Sequence, residues 1–235
     1  MILITRPKEQ SKNLETILGL KGYKTSLESL YKIKNFKTKI SCNKNHYYIF
    51  PSIHSVQSLI NSKQIKNFQA ANILAIGKKV EQALLSAGCK KILLTSIDSD
   101  SLVKKINKYN FIDYNFVYLC SNKVNEDFFK NMKKTNIKIK RKVIYETIPS
   151  IKFSKKFIKY IKNEKITGAV FYSYLSAKTF IKLCEKYSLV SSYLKNDFQI
   201  FCLSNRVAKP FFAKKFKFIN IAKKPTESSL VEMLT

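Results

Sequence analysis

Short apolar runs alternate with helical segments along the whole chain. The runs are rich in Ile, Val, Phe and Tyr, and each is only a few residues long. They cover residues 2–4, 47–50, 72–76, 92–95, 116–120, 169–173, 199–203 and 216–221. Helical stretches follow the runs, such as residues 7–20, which stop before Gly22, and 78–87, which stop before Gly88. This alternation predicts an α/β fold in which parallel sheets carry helices on both faces.

The order of these segments repeats within the chain. Residues 48–56 resemble 169–177, residues 73–80 resemble 200–207, residues 101–103 resemble 229–231, and residues 2–20 pair loosely with 116–132. The matches keep their order at a nearly constant offset, so we predict two homologous α/β units of about 120 residues each. Two other stretches, residues 27–34 and 138–147, have an extended pattern and are candidates for a ladder that joins the units.

The composition indicates a globular chain without a membrane span. Of 235 residues, 45% are hydrophobic, which is enough for a sizeable core. No apolar run approaches the roughly 18–20 residues that a span needs, and the N-terminal segment lacks the apolar centre of a signal peptide. The five cysteines show no C-x-x-C spacing, and with two histidines they do not suggest a zinc site. We expect a cytoplasmic protein with reduced thiols.

The formal net charge of +29 raises the question of a nucleic-acid partner. Almost all of the 44 basic residues are lysines that are scattered along the chain, and the only arginines are Arg6, Arg141 and Arg206. Nucleic-acid sites favour arginine, because its planar fork binds phosphate and guanine through two hydrogen bonds. The chain is also rich in Asn, Ile, Phe and Tyr, as AT-rich genomes encode. We therefore predict no nucleic-acid partner and keep RNA binding as an alternative that rests on charge alone.

Small polar residues follow the predicted strands where helices begin. The familiar phosphate-binding, hydrolase and metalloprotease motifs are missing from the sequence. Ligands of open parallel sheets bind at the carboxyl ends of the strands, where free N–H groups of helix starts attract anions. The candidate anion-binding residues are Thr5, Arg6, Ser52, Gly77, Lys78, Lys79, Ser121, Asn122, Ser173, Ser204, Asn205 and Arg206. Each Ser or Asn can equally serve as a helix N-cap, and each lysine can be a solvated surface charge.

Several of these segments resemble motifs of the uroporphyrinogen-III synthase family. Residues 2–7 are similar to its "TRP" start, and residues 50–52 and 171–173 to the two copies of its "F-T-S" turn. Residues 75–80 resemble "V-G-x-x-T-A", residues 144–147 resemble "V-Y-x-T", and Pro225, Thr226 and Leu230 resemble the closing "P-T-x-x-x-L". The resemblance covers nearly the whole chain at low identity, and the order of the motifs carries it.

The resemblance implies two flavodoxin-like domains that are joined by a two-stranded β-ladder. Residues 1–30 and 148–235 would form one domain, and residues 31–147 the other. Linker strands would lie near residues 27–34 and 138–147. The family also suggests a monomer.

The resemblance further implies a reaction. The substrate would be hydroxymethylbilane, a linear tetrapyrrole with eight carboxylates on acetate and propionate arms. Loss of its hydroxyl as water and inversion of ring D would give the macrocycle uroporphyrinogen III, without a metal or an organic cofactor. Because this substrate is intrinsically reactive, the main task of the protein would be to position it.

The family resemblance also assigns roles to residues. Tyr145 matches the tyrosine that would give a proton to the departing hydroxyl, and a phenol with an ordinary pKa of about 10 is a neutral donor at cellular pH. The other candidate residues would bind the carboxylate arms. Val80 and Val207 occupy the threonine positions of the family motif and its repeat. These two valines favour the main alternative, a protein of the same fold that binds a tetrapyrrole or another polyanion without catalysis.

Overall fold

The computed structural model describes residues 1–36, 39–109, 114–124, 126–133, 137–189, 194 and 196–234. Its strands are β1 (Ile2–Ile4), β2 (Thr25–Leu27), β3 (Tyr31–Asn35), β4 (His46–Phe50), β5 (Asn72–Ile76), β6 (Ile92–Ser96), β7 (Asn115–Ser121), β8 (Ile139–Pro149), β9 (Gly168–Phe171), β10 (Gln199–Cys202) and β11 (Ile219–Ile221). Its α-helices are α1 (Lys8–Leu20), α2 (Ile53–Asn61), α3 (Lys78–Ser86), α4 (Ser99–Lys108), α5 (Glu126–Lys133), α6 (Lys155–Lys162), α7 (Tyr174–Lys186), α8 (Asn205–Ala213) and α9 (Glu227–Glu232).

The chain divides into two compact units. The first unit contains Met1–Lys32 and Ile148–Thr235, and the second contains Ile33–Thr147. The chain therefore passes from one unit to the other within β3 and again within β8. In the described residues, no helix is both long and apolar enough to cross a membrane.

The first unit is built on a five-stranded sheet in the order β2-β1-β9-β10-β11. All of its neighbouring strands run parallel, and the order is that of the flavodoxin-type sheet. Successive residues of β9 face opposite sides of the sheet. Phe171 packs with Phe180 and Phe211 of α7 and α8, whereas Val170 packs with Leu14 of α1. Both faces of this sheet are thus covered by helices, as the sequence predicts.

The second unit is built on a six-stranded sheet in the order β3-β8-β7-β4-β5-β6. The pairings from β8 to β6 are parallel. On one face Phe50 packs among residues of α2 and α3, and on the other Ile49 packs among residues of α4 and α5. The prediction of parallel α/β sheets is confirmed in this unit as well.

The structure corrects several predicted elements. Residues 27–34 are not one extended stretch, because β2 ends at Leu27 and β3 begins at Tyr31 beside β8. β9 ends at Phe171 rather than at Ser173, whose side chain caps α7. β11 begins at Ile219 rather than at residue 216, because Lys215 has a φ of 58°, which turns the chain after α8.

Candidate functional site

The polar residues of the second unit gather at the carboxyl edge of its sheet. Because β4, β5 and β7 are parallel, their ends at Phe50, Ile76 and Ser121 lie along the same edge. The helices that follow β4 and β5 begin there, so their positive N-terminal ends point at this edge. An anionic ligand would be attracted to it.

Tyr145 and Ser52 form a hydroxyl pair at this edge. Their oxygen atoms lie 2.9 Å apart, and either hydroxyl can be the donor. Ser52 precedes α2, yet its side chain does not cap the helix; instead, the Ser55 hydroxyl donates to the Ser52 carbonyl at 2.6 Å. Ser52 is therefore positioned to bond the phenol of Tyr145 rather than its own helix.

Burial determines the protonation state of Tyr145. The residue is 5% exposed, and this burial raises the pKa of its phenol to about 12, against the opposing hydrogen bond from Ser52. A raised pKa of this kind means that the phenol keeps its proton at neutral and mildly alkaline pH. Tyr145 can thus act as a neutral proton donor.

His54 is a neighbour of Tyr145 that the sequence did not indicate. The centroids of the two rings lie 5.8 Å apart with an interplanar angle of 54°. Burial lowers the pKa of His54 from its ordinary value, and a hydrogen bond with the Gln57 side chain partly offsets this effect. The sequence offers one sign that His54 lies near the site, because it comes two residues after Ser52, in the first turn of α2.

Ser121 and Asn122 join the end of β7 to β8. The Ser121 and Thr147 hydroxyl oxygens are 3.2 Å apart, and the Asn122 amide donates to the Glu146 carboxylate at 3.1 Å. Arg141 donates to the main-chain carbonyls of both Ser121 and Asn122. These predicted binding residues therefore hold the strand that carries Tyr145 in place.

Gly77 shapes the start of α3. Its φ of 97° lies in the left-handed region, and its N–H donates to the Ser96 carbonyl at 2.7 Å. Lys78 and Lys79 follow it and are exposed, whereas Val80 is buried at 4% exposure. The side chains available to a ligand at this turn are thus the lysines.

In the first unit, Ser173 and Ser204 begin helices in different ways. The Ser173 hydroxyl accepts from the Ser176 N–H at 3.1 Å and so caps α7. Ser204 begins α8 without a capping bond from its side chain. Asn205 and Arg206 are exposed, and in the described part of the chain no ion pair of Arg206 is found. The start of α8 is therefore the more open of these two candidate anion sites.

Thr5 and Arg6 are buried, and their side chains bond to other groups of the first unit. Thr5 is fully buried, and its hydroxyl donates to the Val170 carbonyl at 2.7 Å. Arg6 forms a buried ion pair with Glu227 at 2.5 Å and lies 4.0 Å from the centre of the Tyr172 ring. Both side chains are thus used to hold β1 against β9 and α9. The sequence could not reveal this, because Glu227 lies more than 200 residues from Arg6.

The fold is similar to solved uroporphyrinogen-III synthases. The structure of the enzyme from Helicobacter pylori has a TM-score of 0.68 and 17% identity, with 99% of this chain and 97% of that chain covered. A mutant of the enzyme from Thermus thermophilus has a TM-score of 0.59 and 11% identity, with 100% and 97% covered. At such identities the likeness shows the fold. No curated protein matches the sequence.

A family profile decides the assignment. The profile described as uroporphyrinogen-III synthase HemD matches residues 12–232. The chain belongs to the uroporphyrinogen-III synthase family. The resemblance seen in the sequence is thereby confirmed at the level of the family.

Two positions where this chain departs from the synthase motif are explained by packing. Val80 and Val207 are only 4% and 5% exposed, and each belongs to a hydrophobic core. Valine fills such a position with an apolar side chain of the size of threonine. A ligand at these turns would consequently find its hydrogen-bond donors in main-chain N–H groups and neighbouring side chains.

Proposed function

We propose that this chain is a uroporphyrinogen-III synthase that converts hydroxymethylbilane into uroporphyrinogen III, with inversion of ring D and loss of water. Membership of the family supports the proposal, and so does coverage of nearly the whole chain by the two solved synthases. The observation that carries it is the buried Tyr145 phenol bonded to Ser52 at the carboxyl edge of a parallel sheet. We propose no cofactor, nucleic acid or membrane as a partner, and a monomer in the cytoplasm.

Tyr145 is proposed to begin the reaction. Its phenol donates a proton to the hydroxyl of the substrate as the carbon–oxygen bond breaks, so water leaves, the tyrosine becomes a phenolate and an electrophilic, protonated azafulvene forms on ring A. The Ser52 hydroxyl then donates to the phenolate oxygen, which a group 2.9 Å away is able to do. Ring D attacks through its substituted carbon, and fragmentation and recombination of the spiro intermediate close the inverted ring. The proton that ring D loses from its unsubstituted α-carbon on closure restores the Tyr145 phenol.

The carboxylate arms are proposed to bind at the helix starts. The amides after Gly77 and Ser204, together with the Ser173 hydroxyl, provide hydrogen-bond donors, and the positive helix ends favour anions. Lys78, Lys79, Asn205 and Arg206 are exposed beside these starts, which supports a role in attracting the arms. Thr5, Arg6, Ser121 and Asn122 are proposed to act indirectly, by holding the strands in place.

We further propose that the two units arose by duplication. Their sheets have equivalent strand orders, β2-β1-β9-β10-β11 and β8-β7-β4-β5-β6. In the sequence repeat, Ala169 corresponds to Tyr48 and Ile200 corresponds to Ile73. Within the first sheet Ala169 pairs with Ile200 on the neighbouring strand, and within the second sheet Tyr48 pairs with Ile73 in the same way. This agreement between repeat and register supports a common origin.

The units are proposed to be the two flavodoxin-like domains of the family, residues 1–30 with 148–235, and residues 31–147. The compact units Met1–Lys32 with Ile148–Thr235 and Ile33–Thr147 support these boundaries. β3 and β8 are proposed to be the ladder between the domains. They are neighbours in the sheet, and the Phe36 N–H donates to the Ile144 carbonyl at 3.0 Å.

The proposal is tested by supplying the purified protein with fresh hydroxymethylbilane and separating the products by isomer. Type III product above the spontaneous type I background is the expected result. Type I product alone would contradict synthase activity. Binding of the macrocycle without type III product would favour a non-catalytic tetrapyrrole-binding protein, the alternative function that Val80 and Val207 suggest.

A further inference from the structure

A cavity opens at the carboxyl ends of β5 and β6. Its volume is about 420 Å³, and its lining includes Lys78, Glu81, Thr95, Ile97, Ser101 and Lys105. The carbonyl of Ser96, another residue of the lining, accepts a hydrogen bond from the Gly77 N–H at 2.7 Å. A cavity of this size is in the range of small-molecule sites, and it can hold one substituted five-membered ring but not four linked ones.

The charged side chains of this cavity are arranged around Thr95. The Lys105 ammonium donates to the Thr95 carbonyl at 2.6 Å, and the Thr95 hydroxyl donates to the Glu81 carboxylate at 2.9 Å. An ammonium has three N–H donors and a carboxylate has several acceptor positions, so both retain hydrogen-bonding capacity. Lys78 adds a second cation from the first turn of α3.

Beside these groups, the cavity is lined by Ile97 and by two serines, Ser96 and Ser101. Ile97 is 85% exposed at the end of β6, which is unusual for so large an apolar side chain and leaves it available to cover a flat ring. The cavity thus combines two cations, one carboxylate acceptor and an apolar contact surface.

We infer that this cavity binds a single pyrrole ring with one acetate and one propionate arm, as a subsite for one ring of the linear tetrapyrrole. The inference rests on the proposed function for its substrate class. Lys78 and Lys105 bind the two carboxylates, Glu81 accepts the hydrogen bond of the pyrrole N–H, and Ile97 contacts the ring face. The N–H and both carboxylates of such a ring then each have a partner. A plain dianion has no N–H group and would not need the Glu81 carboxylate.

Calorimetry with the full-length protein and a monopyrrole that carries these two arms tests the lysines. Lys105→Met should weaken binding about tenfold, as expected for one lost charge-assisted hydrogen bond. Lys108→Met is the matched control, because it removes the same charge from an exposed position one turn along the same helix. Its affinity should stay within about twofold of the wild type. An equal loss in both variants would assign binding to the general positive field and overturn the subsite.

The N-methyl derivative of the same monopyrrole tests Glu81. The wild type should bind the N-methyl derivative more weakly than the parent compound. Glu81→Ala should bind the two compounds equally, because N-methylation and loss of the carboxylate remove the same hydrogen bond. Equal wild-type affinities for the two compounds would overturn the role of Glu81. Lys105→Arg should restore binding and show that any loss in Lys105→Met is not misfolding.

Kinetics separate this inference from the proposed function. With hydroxymethylbilane, Lys105→Met should raise KM with little change in kcat, whereas Lys108→Met should change neither. Wild-type protein that yields only type I product contradicts the synthase proposal, and the monopyrrole calorimetry then still decides the subsite. Type III synthesis with an unchanged KM in Lys105→Met contradicts the subsite alone.

Discussion

Tyr145 differs from an ordinary surface tyrosine in two respects. Its side chain is almost fully buried, and its hydroxyl has a partner in Ser52 at 2.9 Å. Burial disfavours the phenolate and keeps the proton in place, whereas the serine hydroxyl can stabilise the phenolate once the proton has been donated. The residue is therefore suited to give up its proton only when a substrate hydroxyl is bound beside it.

Removal of the Tyr145 hydroxyl should separate catalysis from folding. Tyr145→Phe should lower the rate of type III formation about a hundredfold, the lower end of what general acid catalysis contributes. Loss of the bond to Ser52 should cost about 1 kcal/mol of stability. Initial rates and thermal unfolding check both effects.

Tyr118→Phe is the matched control, because Tyr118 is buried to the same 5% in β7 and packs against Phe128. It should retain the wild-type rate. Wild-type turnover in Tyr145→Phe would remove Tyr145 from the mechanism.

Single residues also show where sequence reasoning about the site stops. The motif around residues 144–147 indicated Tyr145, and the strand-end rule indicated Ser52 and Gly77. The same rule named Thr5, which is buried, because a strand end in the sequence does not reveal which side chains remain accessible. Tyr172 and Glu227, which surround Arg6, are distant in sequence and become neighbours only through the fold.

Most elements were predictable because their residue patterns are local. β5 has the predicted bounds, and α3 ends one residue earlier than predicted, before Gly88 with its φ of 84°. Helix α6 was not predicted, since its Lys-rich sequence buries only Phe157 and Ile161. β2 was not recognised as a separate strand because its three residues form part of the sheet only through pairing with β1.

The start of α3 should depend on glycine at position 77. Gly77→Ala should destabilise the second unit by about 1–2 kcal/mol, because a side chain disfavours a φ of 97° even where the nearest atom lies 3.9 Å from the added carbon. Native-state hydrogen exchange of β4 and β7 amides measures the change.

Gly19→Ala provides the comparison for Gly77→Ala. Gly19 lies in α1, and an added carbon meets nothing within 4 Å. This substitution should stabilise the first unit by about 0.5–1 kcal/mol. Equal effects of the two substitutions would show that the left-handed turn at Gly77 carries no cost.

Substitution by alanine should affect two serines at helix starts differently. Ser173→Ala removes a capping bond and should cost about 1 kcal/mol, which lowers Tm by about 2–4 °C for a chain of this size. Ser204→Ala removes no cap and leaves the main-chain amides after position 204 in place, so Tm and KM should both hardly change. Ser173→Ala should also raise KM, because the Ser173 hydroxyl is proposed to bind a carboxylate arm. A larger Tm loss in Ser204→Ala than in Ser173→Ala would contradict this assignment.

At the scale of the whole molecule, the charge and the core respond to pH in opposite directions. The positive charges behind the net charge of +29 repel one another, and this repulsion decreases as lysines lose their protons near pH 10. The buried thiols and phenols act the other way, because each is stable in the core only while it is protonated. Salt at 1 M screens the repulsion between lysines, since the Debye length is then about 3 Å, but it leaves the ionisation of the buried thiols and phenols unchanged.

The chain should therefore lose stability between about pH 9 and pH 12 in 1 M salt. Burial raises the pKa of Cys89 and Cys120 from 9.0 to about 11 and that of Cys202 to about 12, and it raises that of Tyr145 from 10.0 to about 12. Well below pH 9 the folded and unfolded chains hold these protons equally, and the stabilisation is complete. As pH rises further, the unfolded chain releases them first, so unfolding is favoured by up to about 1.4 kcal/mol per pH unit for each group.

Urea-unfolding midpoints at pH 8, 9, 10 and 11 under reducing conditions measure this loss. The midpoint should fall only slightly from pH 8 to pH 9, where thiols of the unfolded chain become half ionised, and should then fall with increasing slope. Cys202→Ala removes one titrating group and should make the fall shallower, although its own stability at pH 8 is lower because of the lost packing. A wild-type midpoint that stays constant to pH 11 would mean that these groups titrate in the core as they do in the unfolded chain, in conflict with their burial.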